Sequence, residues 1–144
     1  MTIQQAQTEI EEEFELFDDW MQKYEHLIEL GKDLPQISEE HKDDEHLIKG
    51  CQSRVWLDAR LENGRVRYSA DGDALITKGI ISLLVRSLDD QPAADIVEAD
   101  LEFIDRIGLK EHLSPTRANG LLSMAKQMKF YALAFQAQNG DAHG

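Results

Sequence analysis

Cys51 is the only cysteine of the chain, and it stands between Gly50 and Gln52 in the stretch IKGCQSRVW, residues 48–56. His41, Asp43, Asp44, Glu45 and His46 come shortly before it, so this region gathers side chains able to ligate a metal or to do thiol chemistry. Soft-metal sites usually collect several cysteine or histidine ligands at short fixed spacings, and this segment has neither a second thiolate nor a CxxC or HxxxH step. No metal is expected there on that ground. A cluster of iron and sulfur held by four cysteines is excluded by count, while one ligated partly by another chain stays open.

Other catalytic signatures are missing. Gly64, Gly72 and Gly79 are spaced for turns and packing, with no GK[ST] after them to complete a phosphate loop. Serine, aspartate and histidine are plentiful enough to suggest a triad in almost any such chain, but no GxSxG elbow positions one. The thiol is what remains. Carrying the alternation of the following strand backwards from Val55 through Ser53 puts Cys51 on the apolar side, as a small buried hydrophobe. Against that, Gly50 before it and Gln52, Ser53 and Arg54 after it are flexible or polar, as in a loop leading into a strand. The pattern leaves both placements, buried and exposed, open.

The elements that must hold this loop are legible on either side of it. Ile3, Ala6, Ile10, Phe14, Phe17, Met21, Tyr24 and Ile28 recur at steps of three and four, which predicts one long helix or two consecutive ones. Asp18 and Asp19 mark a break, and Gly31 with Leu34-Pro35 a stop. The acidic run from Glu9 to Glu15 reads as a solvated face, and residues 35–45 as an exposed connection.

Val55, Leu57, Ala59 and Leu61 then alternate with Arg54, Trp56, Asp58, Arg60 and Glu62, and Asn63-Gly64 supplies a type I′ turn before Val66, Tyr68 and Ala70 resume the pattern. This hairpin sets Leu61 opposite Val66, Glu62 opposite Arg65 and Arg60 opposite Arg67. The last pair is tolerable only on a wet face or beside an acidic group. Asp71-Gly72-Asp73 is expected to turn the chain and cap a central buried helix carrying Ile76, Ile80, Leu83, Leu84 and Leu88. One or two short helices up to Gly108 follow. A last helix, capped by Ser114, runs from Pro115 to about Ala137, and residues 138–144 form a disordered tail. Helices, then an antiparallel ribbon, then helices give one α+β domain over residues 1–137.

Composition narrows the function. The 144 residues, 42% hydrophobic, suffice for one domain with a core. The apolar run GIISLLV, residues 79–85, is far shorter than the roughly 17 to 25 residues of a membrane span, and the first residues lack a basic segment followed by an apolar one. A soluble chain is expected, in a reducing compartment because one cysteine closes no internal disulfide; the cytoplasm is the default. A formal charge of −13 opposes binding to nucleic acid and to anionic membrane surfaces.

The run Gly50-Cys51-Gln52-Ser53, extended by Val55-Trp56, resembles the hallmark of the SufE family, sulfur acceptors that work with cysteine desulfurases in iron–sulfur cluster assembly. LGKDLP (residues 30–35), DGDALITKGIISLL (residues 71–84) and HLSPTRANGLLSM (residues 112–124) resemble further family landmarks in the same order, so the likeness covers roughly residues 14 to 135. It implies an IscU-like α+β fold, in which a small antiparallel sheet, the hairpin plus a short third strand, is packed with helices. The acidic first helix and the tail after Ala137 depart from the family pattern.

The resemblance also implies a role for the thiol. A desulfurase draws sulfur from free cysteine with pyridoxal phosphate and holds it as a persulfide; Cys51 would then be the acceptor, taking the terminal sulfur by thiol exchange and passing it to an iron–sulfur scaffold or another acceptor. Such a carrier needs no cofactor of its own, stimulates the desulfurase and has no independent turnover. A second nearby thiol would be harmful, since it would expel sulfide and close a disulfide. Gly50, Gln52 and Ser53 are supporting residues of that site. A cation in the first turn of a helix opposes the helix dipole, so Arg117, in SPTRANGL, is better explained by an anionic neighbour, either a carboxylate or the Cys51 thiolate and its persulfide; the resemblance favours placing this helix start near the cysteine loop, and Arg117 is expected to border it. Asp73 is the candidate for the loop's other neighbour. Two alternatives remain beside this reading: a one-cysteine thiol redox enzyme, and a binding module with an incidental cysteine. The first is opposed by local structure, since such thiols are commonly acidified at a helix amino terminus and Cys51 precedes a strand.

Overall fold

The structure is a computed structural model that describes residues 1–48 and 54–143, with side chains through residue 138. Helix α1 (Ile3–Glu15) opens on a capping box, in which the Gln5 N–H donates to Thr2 Oγ1 at 3.1 Å and the Thr2 N–H donates to Gln5 Oε1 at 2.8 Å. Helix α2 (Trp20–Gly31) starts at Asp19, whose Oδ1 accepts from the Gln22 N–H at 2.9 Å. The break therefore falls at Asp18-Asp19, where Asp19 caps the new helix and the Asp18 N–H donates to Gln22 Oε1 at 2.9 Å.

That break also resets the helical phase, which corrects the continuous stripe expected from sequence. Ile3, Ala6, Ile10 and Phe14 are buried in α1, but Met21 is 73% exposed and Leu27 takes the inward position of α2. The acidic run is likewise more than a solvated face. Glu9 and Glu13 pair with Arg86, Glu11 pairs with Arg106, and Glu13 Oε1 lies 3.0 Å from His26 Nε2.

Strands β1 (Val55–Glu62) and β2 (Arg65–Gly72) pair antiparallel in the expected register, with Leu61 opposite Val66, Glu62 opposite Arg65 and Arg60 opposite Arg67. Asn63 and Gly64 take φ of 55° and 79°, the left-handed pair that a type I′ turn requires. The two facing arginines are each neutralised. Arg60 Nε lies 3.0 Å from Glu62 Oε2, and Arg67 Nε lies 3.4 Å from Asp89 Oδ2. A short strand β3 (Gln91–Pro92) pairs antiparallel with β2, giving the sheet order β1-β2-β3.

Helix α3 (Leu75–Leu88) is buried throughout residues 79–85 and forms the centre of the core, as its apolar run predicts. It crosses α2 at glycines. A Cβ built on Gly79 would sit 2.2 Å from the Leu27 carbonyl oxygen, and one on Gly31 would sit 2.9 Å from the Gly79 nitrogen. Helices α4 (Ala93–Glu98) and α5 (Phe103–Arg106) close the core with Ile96, Phe103 and Ile104. Helix α6 (Pro115–His143) packs Leu121, Met124, Met128 and Ala132 inward, and the buried Tyr68 hydroxyl donates to the Met128 carbonyl at 2.6 Å. It opens with the Arg117 N–H donating to Ser114 Oγ at 3.2 Å, the expected cap, and it continues past Ala137 to His143. The α+β class expected from sequence holds. No helix among the described residues is long and apolar enough to cross a membrane.

Candidate functional site

Gly50, Cys51, Gln52 and Ser53 lie outside the described residues, so the site is defined by what flanks them. On the near side, the Ile48 N–H donates to the Val55 carbonyl at 2.8 Å and the Leu57 N–H donates to the His46 carbonyl at 2.9 Å, with Leu47 and Trp56 forming an antiparallel bridge. Residues 46–48 thus run beside the start of β1. Cys51 follows Ile48 by three residues and precedes Val55 by four, so both ends of its segment are tied to one strand.

Asp73 holds the far end. Its Oδ1 accepts from the Arg54 N–H at 3.1 Å, and its own N–H donates to the Arg54 carbonyl at 3.1 Å. The expected capping role is corrected here. Asp71 and Gly72 belong to β2, Ala74 is the cap position of α3 without any side-chain hydrogen bond, and the Asp73 carboxylate is spent on Arg54 instead.

Beneath this clasp lies a cation-carboxylate bridge that sequence reasoning missed. Asp71 is nearly buried, with Lys42 Nζ 2.8 Å from its Oδ2 and Lys78 Nζ 3.1 Å from its Oδ1. Burial alone would push its carboxyl pKa up, but the two ammonium groups hold it below its ordinary value. The same contacts push Lys42 up, chiefly through its hydrogen bond to Asp71. Lys42, Asp71 and Lys78 come from the connection, β2 and α3, and no short spacing in the chain announces such a meeting.

A pocket of about 90 Å³ opens between β1, α3 and α6, walled by Val55, Ala74, Ile81, Leu84, Met124 and Arg117. Val55 and Ala74 are the residues directly after Arg54 and Asp73, so the pocket adjoins the clasp at the end of the cysteine segment. Its volume is well below the roughly 150 Å³ cavity that takes one benzene. It suits a single side chain and is too small for an organic cofactor. Arg117 is exposed and stands on this pocket, as Asp73 stands on Arg54; the relation of either residue to Cys51 lies outside the described residues.

A second group gathers at the root of the segment. His41 Nδ1 lies 2.8 Å from Asp58 Oδ2, and His46 Nε2 lies 3.4 Å from Asp58 Oδ1. The two imidazoles stack with centroids 4.9 Å apart, and His46 Nδ1 lies 2.7 Å from Asp43 Oδ1. Spacing along residues 41–51 could not find this group, because Asp58 comes from β1.

Comparison with known proteins places this geometry in a family. The SufE family model, described as an Fe-S metabolism associated domain, matches residues 8–132. A SufE-like protein of Synechocystis is 38% identical over 135 residues, covering 94% of this chain and 84% of that one. A SufE-like protein of Rhizobium etli is 37% identical, covering 84% of this chain and 85% of that protein. A chloroplastic/mitochondrial SufE-like protein of Arabidopsis thaliana is 39% identical over 81% of this chain, which matches only 32% of its length. The solution structure of a Thermus thermophilus protein shares the fold, with a TM-score of 0.75 at 20% identity over 90% of this chain and 94% of that one. The match takes in the strand, the clasp at Asp73 and the start of α6 with Arg117, and on it the chain belongs to the SufE family, an Fe-S metabolism associated domain.

Proposed function

We propose that this protein accepts sulfane sulfur as a persulfide on Cys51 from a cysteine desulfurase, stimulates that enzyme, and passes the sulfur on for iron–sulfur cluster assembly. The observation that carries the reading is the family match over residues 8–132, which contains the only thiol of the chain. The surroundings support it. Both flanks of the thiol segment are pinned, and the adjoining pocket has room for one side chain beside a cation.

The chemistry is an exchange at sulfur. The Cys51 thiolate attacks the terminal sulfur of the desulfurase persulfide, a new S–S bond forms, the old one breaks, and the enzyme thiolate leaves with its electron pair. The terminal proton stays on the transferred sulfur or passes to solvent. No electron is gained or lost overall, so no redox partner is required. The desulfurase contributes pyridoxal phosphate for the earlier step, and this chain contributes the acceptor thiol. A lone cysteine keeps the product intact, because no second thiol stands in the same chain to expel sulfide. Work of this kind belongs in a reducing compartment such as the cytoplasm.

Intact mass measurement after incubation with a desulfurase and free cysteine tests the reading. The parent protein gains the mass of one sulfur atom, reversed by a thiol reductant, and Cys51→Ser gains none. Equal gain on Cys51→Ser, or no gain on the parent with any desulfurase that accepts free cysteine, rejects it.

A further inference from the structure

His41, His46 and Asp58 bring two imidazole nitrogens and a carboxylate oxygen within 4.8 Å of one another. The cluster is not a chance meeting of exposed acids. A carboxylate only accepts, so the 2.7 Å contact to Asp43 Oδ1 places the proton of His46 on Nδ1. The His46 tautomer with its proton on Nδ1 turns the Nε2 lone pair toward Asp58 Oδ1 at 3.4 Å. The His41 ring stacks on His46 with centroids 4.9 Å apart and brings its own Nδ1 to 2.8 Å from Asp58 Oδ2. One divalent ion at this point would serve both rings and the carboxylate together.

We propose that His41 Nδ1, His46 Nε2 and Asp58 form a binding site for a first-row divalent metal of the zinc type. The donor set is the one such ions take, and the tetrahedral spacing needed between ligand atoms is roughly 3.3 Å for bonds near 2.0–2.1 Å. Each ring nitrogen already stands near that distance from one oxygen of the carboxylate, His41 Nδ1 at 2.8 Å from Asp58 Oδ2 and His46 Nε2 at 3.4 Å from Asp58 Oδ1. Asp43 supplies the outer carboxylate that holds a ligating histidine in the correct tautomer. His41 is 46% exposed, which gives an ion a path in and leaves the fourth position to water. The site joins residues 41 and 46 to β1, two residues before Ile48, so occupancy would brace the near flank of the cysteine segment.

The site is independent of the sulfur-transfer reading and is tested without it. Zn²⁺ is titrated calorimetrically into the full-length parent, Cys51→Ser, His41→Ala, Asp58→Asn and Asp43→Asn. The expected result is one equivalent bound with a micromolar or tighter dissociation constant in the parent and in Cys51→Ser. His41→Ala and Asp58→Asn should each lose at least tenfold, and Asp43→Asn about tenfold through its outer-shell contact. His41 is exposed enough that its replacement leaves folding intact, so that variant decides. Absence of binding in the parent overturns the site, as does parent-like affinity in His41→Ala, or a loss in Cys51→Ser as large as in His41→Ala.

Discussion

Asp73 and Arg54 close a ring of two hydrogen bonds, each 3.1 Å long, between the end of the cysteine segment and the start of α3. One bond is backbone to backbone and the other depends on the Asp73 carboxylate. Asp73→Ala removes only the second. Arg54 is exposed, so its freed N–H turns to water and the cost stays near about 0.5–1.5 kcal/mol. Asp73→Asn keeps an acceptor oxygen and should recover most of it. Urea midpoints test the stability, and the initial rate of persulfide formation should fall in Asp73→Ala more than in Asp73→Asn. Identical rates in all three proteins would show that the clasp does not serve the thiol.

The crossing of α2 and α3 makes a sharper prediction. Alanine at Gly79 gains about 1 kcal/mol in helix propensity. It also drives a Cβ to 2.2 Å from the Leu27 carbonyl oxygen, a backbone atom that cannot swing aside. Overpacking of this kind costs about 1–3 kcal/mol and more where backbone must move, so the clash wins. Gly79→Ala should lose about 3 kcal/mol or more by denaturant unfolding. Gly31→Ala, with its shortest contact at 2.9 Å, should lose less. The reverse order would contradict the crossing described.

What the sequence could reveal follows the same division between local and distant contacts. The hairpin register, the break at Asp18-Asp19 and the buried run of α3 depend on neighbours along the chain, and alternation, turn residues and helical period report them directly. The steps of three and four put Met21 on the inward stripe, but a break of a few residues loses the phase, and period alone carries no memory across it. Asp73 looked like a helix cap because aspartate before an apolar run usually is one. Its bond to Arg54 crosses nineteen residues of chain. The Lys42–Asp71–Lys78 bridge and the His41–His46–Asp58 group are assembled by the sheet and helices together, so no spacing signals either.

Acid should act on the α1–α3 contact. The hydrogen bond from Arg86, opposed by partial burial and helped by His26, holds the Glu13 carboxyl below its ordinary value. The folded protein therefore binds that proton less readily than the unfolded chain does. This contribution is complete above the unfolded carboxyl pKa of about 4.3 and is lost as pH falls through the lower folded value. Below pH of about 5, the thermal midpoint of the parent should fall more steeply than that of Glu13→Gln, which has no proton to take up there. Parallel pH profiles for the two proteins would remove Glu13 from the acid response.

Arg117 separates a role in sulfur transfer from a role in folding. Its backbone N–H completes the cap at Ser114 Oγ, a bond that any residue at this position can make. Its guanidinium is exposed on the wall of the apolar pocket, in the first turn of α6, where the helix dipole disfavours a cation. Removing an exposed side chain in that position should leave stability within about 0.5 kcal/mol of the parent. A thiolate or persulfide near the pocket would gain from this cation, most of all as negative charge moves from one sulfur to the next during exchange. Arg117→Ala should then fold like the parent and form persulfide severalfold more slowly, with the deficit growing at low salt, where the lost attraction is least screened. Arg117→Lys should fall between the two, since it keeps the charge and gives up the planar donor fork. If Arg117→Ala matches the parent in both unfolding and sulfur uptake, the arginine is a surface residue and the anion is stabilised by other groups.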